Sequence, residues 1–254
     1  MAQPLISPSE VFVRTWHEGK KYLSNDIKTS VGILGIALIS FAIAMISFYV
    51  PEGIRLALRA LDILLLQIVG TSWVSLRLET GILSERTGKK LKVPTPVMLV
   101  SYLLITILSG LAAAGGSLVF VIPGIWLTVL FLFAEYTFID EGKTGLQALA
   151  RSAELVRGRW WATLGRLILP GLMILVVSMI ASSIIEALVG LNAGYRPSAL
   201  VSQVGFLNWT VFGPPSTQIA SSAIQVIDAL PMVIALPFLV HLMVTIYLEL
   251  KRTE

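Results

Sequence analysis

Long apolar runs separated by short polar stretches dominate the chain, and charged residues collect at the ends of these runs. A bilayer core about 30 Å thick needs about 20 apolar residues of helix to cross it, and six runs approach that length. We therefore predict an all-α polytopic membrane protein with a single membrane domain over residues 1–254. Its predicted transmembrane helices are residues 31–50, 56–76, 96–115, 117–139, 162–188 and 230–250.

The boundary between the third and fourth runs depends on helix-breaking residues, because residues 94–134 contain no charge. One interpretation turns the chain at the glycine pair 115–116 and leaves a proline-kinked fourth helix. The other extends the third helix and turns at Pro123 and Gly124, since proline's missing N–H costs nothing in the first turn of a helix. We favour a fourth helix that starts near Pro123, and both interpretations predict a tight hairpin.

The polar segment between the fourth and fifth runs, residues 144–160, has the periodicity of an amphipathic helix. From Leu146, apolar residues recur at spacings of three, four, three and four as far as Trp160, and most charged residues fall on the opposite side. A basic amphipathic helix that ends in tryptophan suits the membrane interface, where each cation adds about 1 kcal/mol of attraction to an anionic leaflet. We predict that this helix lies in the cytoplasmic interface.

The N-terminal segment, residues 7–28, has the same design. Ser7 is suited to cap a helix, Pro8 fits the first turn and Glu10 occupies the third position. We therefore predict a second interfacial helix, and membrane lipids with anionic headgroups as partners of both segments. The candidate lipid contacts are Arg14, Lys20, Lys21, Arg151, Arg157, Arg159, Trp160 and Trp161.

Positive charge is divided unevenly between the two sides that six spans define. With a cytoplasmic N-terminus, sixteen of the 19 Lys and Arg residues lie on the inner side, and only Arg55, Arg59 and Arg196 lie outside. Cytoplasmic loops of membrane proteins carry such an excess. We therefore predict cytoplasmic N- and C-termini and an outer loop at residues 189–216.

Composition agrees with this class and excludes several kinds of chemistry. A hydrophobic content of 56% with 13% charged residues lies far outside the usage of soluble globular proteins. The net charge of +4 does not indicate a nucleic-acid partner, because the cations cluster at the ends of apolar runs. The chain has no Cys, which removes disulfides, thiolate metal sites and thiol nucleophiles from consideration.

Motifs for catalysis or cofactor binding are absent from the sequence. The two histidines, His17 and His241, are far apart, and there is no HExxH, GxSxG or P-loop pattern. We therefore predict no metal, no cofactor and no catalytic residue. Glu135 and His241 form the candidate intramembrane polar site, because ionisable groups within spans are functional candidates by default. The structural alternatives for Glu135 are that it extends to the nearby membrane interface or pairs with a cation such as Arg77 or Arg166. The alternative for His241 is a hydrogen bond to a neighbouring helix.

The run IPGIWLTVLFLFAEYTFIDEGKTGLQALARSAELVRGRWWATLGRLIL and the tail TIYLELKR resemble the YciC-like family of bacterial and archaeal membrane proteins. That family is similar to the membrane domain of some glycerophosphodiester phosphodiesterases. The most specific residues of the resemblance are Pro123, Gly124, Ser152, Leu155, Gly158 and Trp160. The resemblance implies a six-helix protein of the cytoplasmic (inner) membrane with interfacial helices, and it supplies no catalytic residue.

These observations lead to two expectations about function. The first is a non-enzymatic membrane protein that organises lipid, or that acts as a scaffold or accessory protein for a membrane-protein partner or a second copy of itself. The alternative is a transporter or channel-like protein for a small hydrophobic or amphipathic solute. The alternative requires Glu135 and His241 to line one water-accessible cavity.

Overall fold

A computed structural model describes residues 6–25, 28–189 and 215–254 of the protein. Within these ranges the chain is helical and contains no strand. Residues Asp62–Gly70, here called the π-segment, form a π-helix between α3 and α4. The α-helices are α1 (Pro8–Asn25), α2 (Lys28–Ser47), α3 (Glu52–Leu61), α4 (Thr71–Thr87), α5 (Pro96–Val119), α6 (Val121–Phe131), α7 (Ala134–Glu141), α8 (Leu146–Val156), α9 (Trp160–Val189) and α10 (Pro215–Arg252).

The prediction of an all-α chain with several apolar helices of membrane-spanning length is confirmed for the described residues. Among the described residues, five helical stretches are long and apolar enough to cross a bilayer: Lys28–Ser47, Pro96–Leu118, Val121–Glu141, Trp160–Ala181 and Ala229–Arg252. The predicted span at residues 56–76 coincides with three shorter elements, namely α3, the π-segment and the start of α4. The predicted outer loop falls almost wholly on residues 190–214, which lie outside the described ranges.

The chain divides into two compact units. Unit 1 comprises Met1–Asn25, Ser75–Met173 and Pro237–Glu254, and unit 2 comprises Asp26–Val74 and Ile174–Leu236. The core of unit 1 contains large side chains such as Leu83, Ile105, Phe133, Leu242 and Tyr247. In unit 2 the buried face of α2 consists of the small residues Ser30, Ala37, Ser40, Ala44 and Ser47, which allow close approach of neighbouring helices. The single membrane domain stays a prediction.

Helix α1 begins as its sequence indicates. The Glu10 backbone N–H donates to Ser7 Oγ at 3.3 Å, and the Ser7 N–H donates to Glu10 Oε2 at 3.0 Å. This reciprocal arrangement is a capping box, which satisfies N–H groups that lack partners inside the helix. The capping role predicted for Ser7 is therefore confirmed, and hydrogen bonding to Ser7 lowers the pKa of Glu10.

The hairpin between α5 and α6 turns at Phe120, between the two positions considered from the sequence. Helix α5 continues through the glycine pair 115–116 to Val119, Phe120 is extended, and α6 begins two residues before Pro123. The glycines serve close packing instead of the turn. A Cβ added to Gly116 would lie 3.1 Å from the Cα of Gly124, and one added to Gly124 would overlap the Ser117 side chain. Glycine therefore brings the two helices together at this point.

Ser152 on α8 joins the broken ends of α6 and α7. Its hydroxyl donates to the Leu130 carbonyl at 2.6 Å and accepts from the Phe133 N–H at 3.1 Å. A helix break leaves such backbone groups without partners, and in an apolar core each unsatisfied group is costly. Ser152 is fully buried, so the protein itself supplies these bonds.

The apolar face of α8 packs within unit 1 against α6 and α7. The residues that α8 buries differ in part from the predicted stripe, because Ala153 is only half-buried whereas Ser152 lies inside. The reason is the break between α6 and α7, which requires a hydroxyl on the inner side of α8. The buried residues of α8 are Ala148, Leu149, Ser152, Leu155 and Val156.

We predict that Ser152→Ala lowers the free energy of unfolding by about 1–3 kcal/mol, because it leaves a buried carbonyl and a buried N–H unsatisfied. The measurement is equilibrium or thermal unfolding of the full chain in a mild detergent. Ser109→Ala is the matched control, since the Ser109 hydroxyl donates only to carbonyls of its own helix. Equal stability of the two variants would contradict the proposed role of Ser152.

Candidate functional site

Glu135 lies in the first turn of α7 and bonds to α5. Its Oε1 lies 2.6 Å from Thr106 Oγ1, and its Oε2 lies 3.1 Å from Tyr102 Oη. The same Tyr102 hydroxyl lies 3.1 Å from Oε1 of Glu79 on α4. We call these four residues (Glu79, Tyr102, Thr106 and Glu135) the acidic pair site.

The acidic pair site brings two carboxyl groups to one phenol; Glu79 and Tyr102 are buried, Glu135 is half-buried and Thr106 is exposed. Glu79 is 5% exposed and Tyr102 is 3% exposed. Arg166, one of the cations expected beside Glu135, instead donates to the carbonyls of Ile6 and Ala162, at 2.7 Å and 2.6 Å. The sequence interpretation missed Glu79 because it lies just beyond the predicted span 56–76. The available signal was the i, i+4 pair Tyr102 and Thr106 on an otherwise apolar helix.

His241 lies in α10 in surroundings that differ from those of Glu135. It is 2% exposed, and its ring meets the Tyr22 ring of α1 edge-on at a centroid distance of 6.0 Å. Neither ring nitrogen has a hydrogen-bond partner within the described part of the chain, so the hydrogen bond expected to a neighbouring helix is not found there. The contacts of Glu135 and of His241 thus do not join them into one site.

A second cluster of charged groups connects the ends of α7 and α10. Asp140 Oδ1 lies 2.7 Å from Lys89 Nζ, and its Oδ2 lies 2.7 Å from Lys251 Nζ and 3.1 Å from Tyr247 Oη. Lys251 also lies 3.0 Å from Glu141 Oε1. The Asp140 side chain is only 1% exposed, so its charge depends on these partners.

Arg151 extends this cluster from α8 to the C-terminal residues. Its Nε donates to Glu141 at 3.0 Å, while Nη1 and Nη2 donate to the two carboxylate oxygens of Glu254 at 2.5 Å and 2.6 Å. Two parallel bonds of this kind are the strongest guanidinium geometry for a carboxylate. We call the cluster the charge network; its members are Lys89, Asp140, Glu141, Arg151, Lys251 and Glu254.

Arg159 caps the C-terminal end of α10. Its guanidinium donates to the Leu250 carbonyl at 3.2 Å, to Thr253 Oγ1 at 2.6 Å and to the Thr253 carbonyl. The last carbonyls of a helix lack partners inside the helix and carry partial negative charge, so a cation stabilises them. This basic residue of the segment 144–160 therefore has a binding partner within the protein.

The eight predicted lipid contacts fall into two groups. Besides Arg151 and Arg159, Arg14 lies 3.6 Å from Glu249 and Lys21 lies 3.0 Å from Glu85. Trp160 is half-buried, and its indole N–H donates to the Trp126 carbonyl at 3.2 Å. The exposed members, whose side chains form no ion pair or hydrogen bond with described residues, are Lys20, Arg157 and Trp161.

Unit 2 contains two buried charged residues of its own. Arg59 is 2% exposed and Asp62, three residues later at the start of the π-segment, is 6% exposed. Two guanidinium nitrogens of Arg59 and one carboxylate oxygen of Asp62 have no hydrogen-bond partner within residues 6–25, 28–189 and 215–254. Neither residue was a site candidate from the sequence, because both lie near the outer end of the predicted span 56–76.

The contact between Arg151 and Glu254 links the stability of the charge network to pH. The hydrogen bonds from Arg151 lower the pKa of Glu254, and those to Glu254 raise the pKa of Arg151. A carboxyl whose pKa is lower in the folded state stabilises that state above its unfolded pKa of about 4.3, and the contribution is lost as pH falls through the folded value. The contact is therefore intact at neutral pH and weakens in acid.

We predict that Arg151→Gln lowers the free energy of unfolding at pH 7 by about 1–3 kcal/mol, because it removes charge-assisted hydrogen bonds to two carboxylates. The difference from wild type should shrink as pH falls through the folded pKa of Glu254, which lies below its unfolded value, because the protonated carboxyl loses its charged contact with Arg151. Unfolding in an uncharged detergent measures both effects. Arg157→Gln, at the end of the same helix, is the control and should change stability by less than about 0.5 kcal/mol. A pH-independent difference would contradict the role of Glu254.

Comparison with known proteins finds no family model, no curated protein and no solved structure that matches the chain. The likeness to the YciC-like family stays a prediction from the residues that carry it. Among those residues, Ser152 bonds both sides of the α6–α7 break, Gly124 lies at the closest approach of α5 and α6, and Gly158 has a left-handed φ of 76° between Arg157 and Arg159.

Proposed function

We propose that the protein is a non-enzymatic member of the YciC-like family that crosses the bacterial or archaeal cytoplasmic membrane six times and binds anionic lipid at its inner face. In this proposal the sixth crossing is formed by α3, the π-segment and the start of α4. Helices α1 and α8 lie at the cytoplasmic interface. The distribution of Lys and Arg supports this orientation, with both termini inside.

We propose that the turn between α8 and α9 binds lipid. Trp161 is 79% exposed and packs edge-on against Trp160 at 4.6 Å, four residues after the exposed cation Arg157. Gly158 makes the turn, because its φ of 76° is unfavourable for residues with a side chain. An exposed indole at the start of an apolar helix, with an exposed cation four residues before it in the chain, fits the level of the headgroups.

The charge network supports a scaffold role for the same face. Its ion pairs connect α7, α8 and α10 and the α4–α5 connection within unit 1, so the polar end of this unit is held together by the protein's own groups. Cations that are not used internally are then available to lipid. Exposed Lys20 on α1 and Lys143 before α8 add to Arg157 on this face.

The apolar surfaces of the spans support partners within the bilayer. Most large side chains of α2, α5 and α9 are exposed, including Ile39, Leu111 and Leu172. Lipid tails cover such surfaces in a monomer, and a membrane-protein partner or a second copy covers part of them in a complex. We propose that the protein acts as an accessory or scaffold through these faces.

Transport of a small hydrophobic or amphipathic solute is the alternative proposal. The buried imidazole of His241, without hydrogen bonds to the described residues, and the half-buried Glu135 favour it. The separate surroundings of the two residues favour the scaffold proposal instead, since a shared cavity would place them at one space. The lipid-binding proposal is therefore the one that the geometry supports best.

We predict that phosphatidylglycerol raises the thermal unfolding midpoint of the purified full chain more than phosphatidylcholine does, because binding to the folded state stabilises it. Arg157→Gln should weaken the apparent affinity for phosphatidylglycerol about fivefold, which corresponds to about 1 kcal/mol for one surface cation. The readout is the midpoint as a function of lipid concentration in a mild uncharged detergent.

Arg55→Gln is the matched control, because Arg55 lies on the predicted outer side and should not affect this titration. Equal responses to the two lipids, or an Arg157→Gln variant that titrates like wild type, would contradict the proposal. A loss of response in Arg55→Gln would show that the effect is general charge attraction.

A further inference from the structure

We propose that the acidic pair site is a proton-binding site, in which Glu79 and Glu135 share one exchangeable proton through the hydroxyl of Tyr102 at neutral pH. The site lies within unit 1, between α4, α5 and α7. This inference goes beyond lipid binding and does not depend on it.

The count of hydrogens at Tyr102 requires an added proton. A tyrosine hydroxyl has one hydrogen, and it lies 3.1 Å from an oxygen of each of the two carboxyl groups. It donates to one of them. The second contact is a hydrogen bond only if the other carboxyl is protonated and donates to the phenol oxygen. If both carboxyl groups were ionised, the phenol oxygen and one carboxylate oxygen would face each other as two acceptors with no hydrogen between them.

The surroundings of the two carboxyl groups assign the proton to Glu79. The Thr106 hydroxyl lies 2.6 Å from Glu135 Oε1 and 3.0 Å from the Tyr102 carbonyl, and we assign its one hydrogen to the nearer acceptor. Glu135 then accepts on both oxygens, from Tyr102 and from Thr106, and such bonds favour its ionised form. Glu79 has one oxygen near Tyr102, while its other oxygen, Oε2, is buried without a hydrogen-bond partner in the described part of the chain. A bare carbonyl oxygen in apolar surroundings costs far less than a bare charged oxygen.

The resulting chain of donors runs in one direction. Glu79 Oε1–H donates to Tyr102 Oη, and Tyr102 Oη–H donates to Glu135 Oε2, while Glu135 Oε1 accepts from Thr106. If both hydrogens shift, the phenol remains neutral and the proton moves from Glu79 to Glu135 with no net change of charge. Two carboxyl groups this close together share a proton because both cannot ionise in a buried site.

In the part of the chain that the structure describes, Glu79 and Glu135 contact hydroxyl groups and form no ion pair with a cation. On α5 the facing group is Tyr102, and on α7 it is Tyr136, which is 3% exposed. From α10, Tyr247 stacks on Tyr136 at a centroid distance of 5.9 Å, and its hydroxyl lies 3.1 Å from Asp140. Within the described residues, no group of three or more His, Asp or Glu side chains is arranged to hold a metal ion. Two carboxyl groups that contact one phenol are an arrangement in which a proton can be shared.

Loss of the shared proton would place a second negative charge among α4, α5 and α7. Buried like charges repel strongly in surroundings of low dielectric constant, so the deprotonated site would admit water or separate α4 from α7. The site thus makes the packing of these helices sensitive to proton occupancy.

The direct test is infrared spectroscopy of the full chain in lipid nanodiscs at pH 7. The difference between wild type and Glu79→Gln should contain the C=O stretching band of one protonated carboxylic acid, and the band should shift to lower frequency in D₂O. The difference between wild type and Glu85→Gln should contain only carboxylate bands. Glu85 lies on the same helix and forms an exposed ion pair with Lys21, so it is the matched control.

Tyr102→Phe keeps the test decisive if Glu79→Gln does not fold. Loss of the phenol should shift the protonated carboxyl band, because its hydrogen-bond partner is removed. Absence of any protonated carboxyl band in wild type, or a band that is the same in all variants, would overturn the proposal. A spectrum that changes when sodium replaces potassium at constant pH would show a metal-cation site and would also overturn it.

Discussion

Hydrocarbon offers no hydrogen-bond partner, so a chain that lies in a bilayer must satisfy its polar groups from within. Hydroxyl groups along the spans follow this constraint: Ser109 donates to the Ile105 carbonyl at 2.7 Å, and Thr128 donates to the Gly124 carbonyl at 2.8 Å. At the break between α6 and α7, two backbone groups lack partners within a helix, and the Ser152 side chain on α8 supplies their hydrogen bonds.

The constraint also explains where the charges are used. At the end of unit 1 that includes the last residues of α7 and α10, carboxylates form ion pairs with cations of the same unit. Asp140, for example, pairs with Lys89 and Lys251. Arg151 and Arg159 bind the C-terminal residues. What remains on this surface is a small set of exposed groups, Arg157 and Trp161 among them, whose chemistry suits lipid headgroups.

Hydropathy and length were sufficient to predict the fold class, because a run of about 20 apolar residues has few alternatives to a membrane helix. They could not place the α5–α6 turn, which depends on how closely Gly116 and Gly124 approach in three dimensions. Periodicity predicted a helix at 144–160, of which Leu146–Val156 forms α8, and it identified only part of the buried face, since Ser152 is polar and is buried only because α6 breaks beside it.

The candidate site shows the same division between local and non-local information. Glu135 could be recognised from its apolar context, whereas its neighbour Glu79 could not, because the phenol that joins them comes from a third helix. Arg151 looked like a lipid contact since its partner Glu254 is 103 residues away along the chain. A sequence pattern indicates which face a residue occupies, and only the packed chain determines which group it meets there.

The most direct test of the membrane account is cysteine accessibility, which the absence of native Cys makes free of background. Leu111→Cys on α5, where the native side chain is 65% exposed, should resist an impermeant maleimide in intact and in permeabilised cells, because hydrocarbon covers it. Lys143→Cys should react only after permeabilisation, and Glu52→Cys should react in both. Labelling of Leu111→Cys from water, or of Lys143→Cys in sealed cells, would contradict the account.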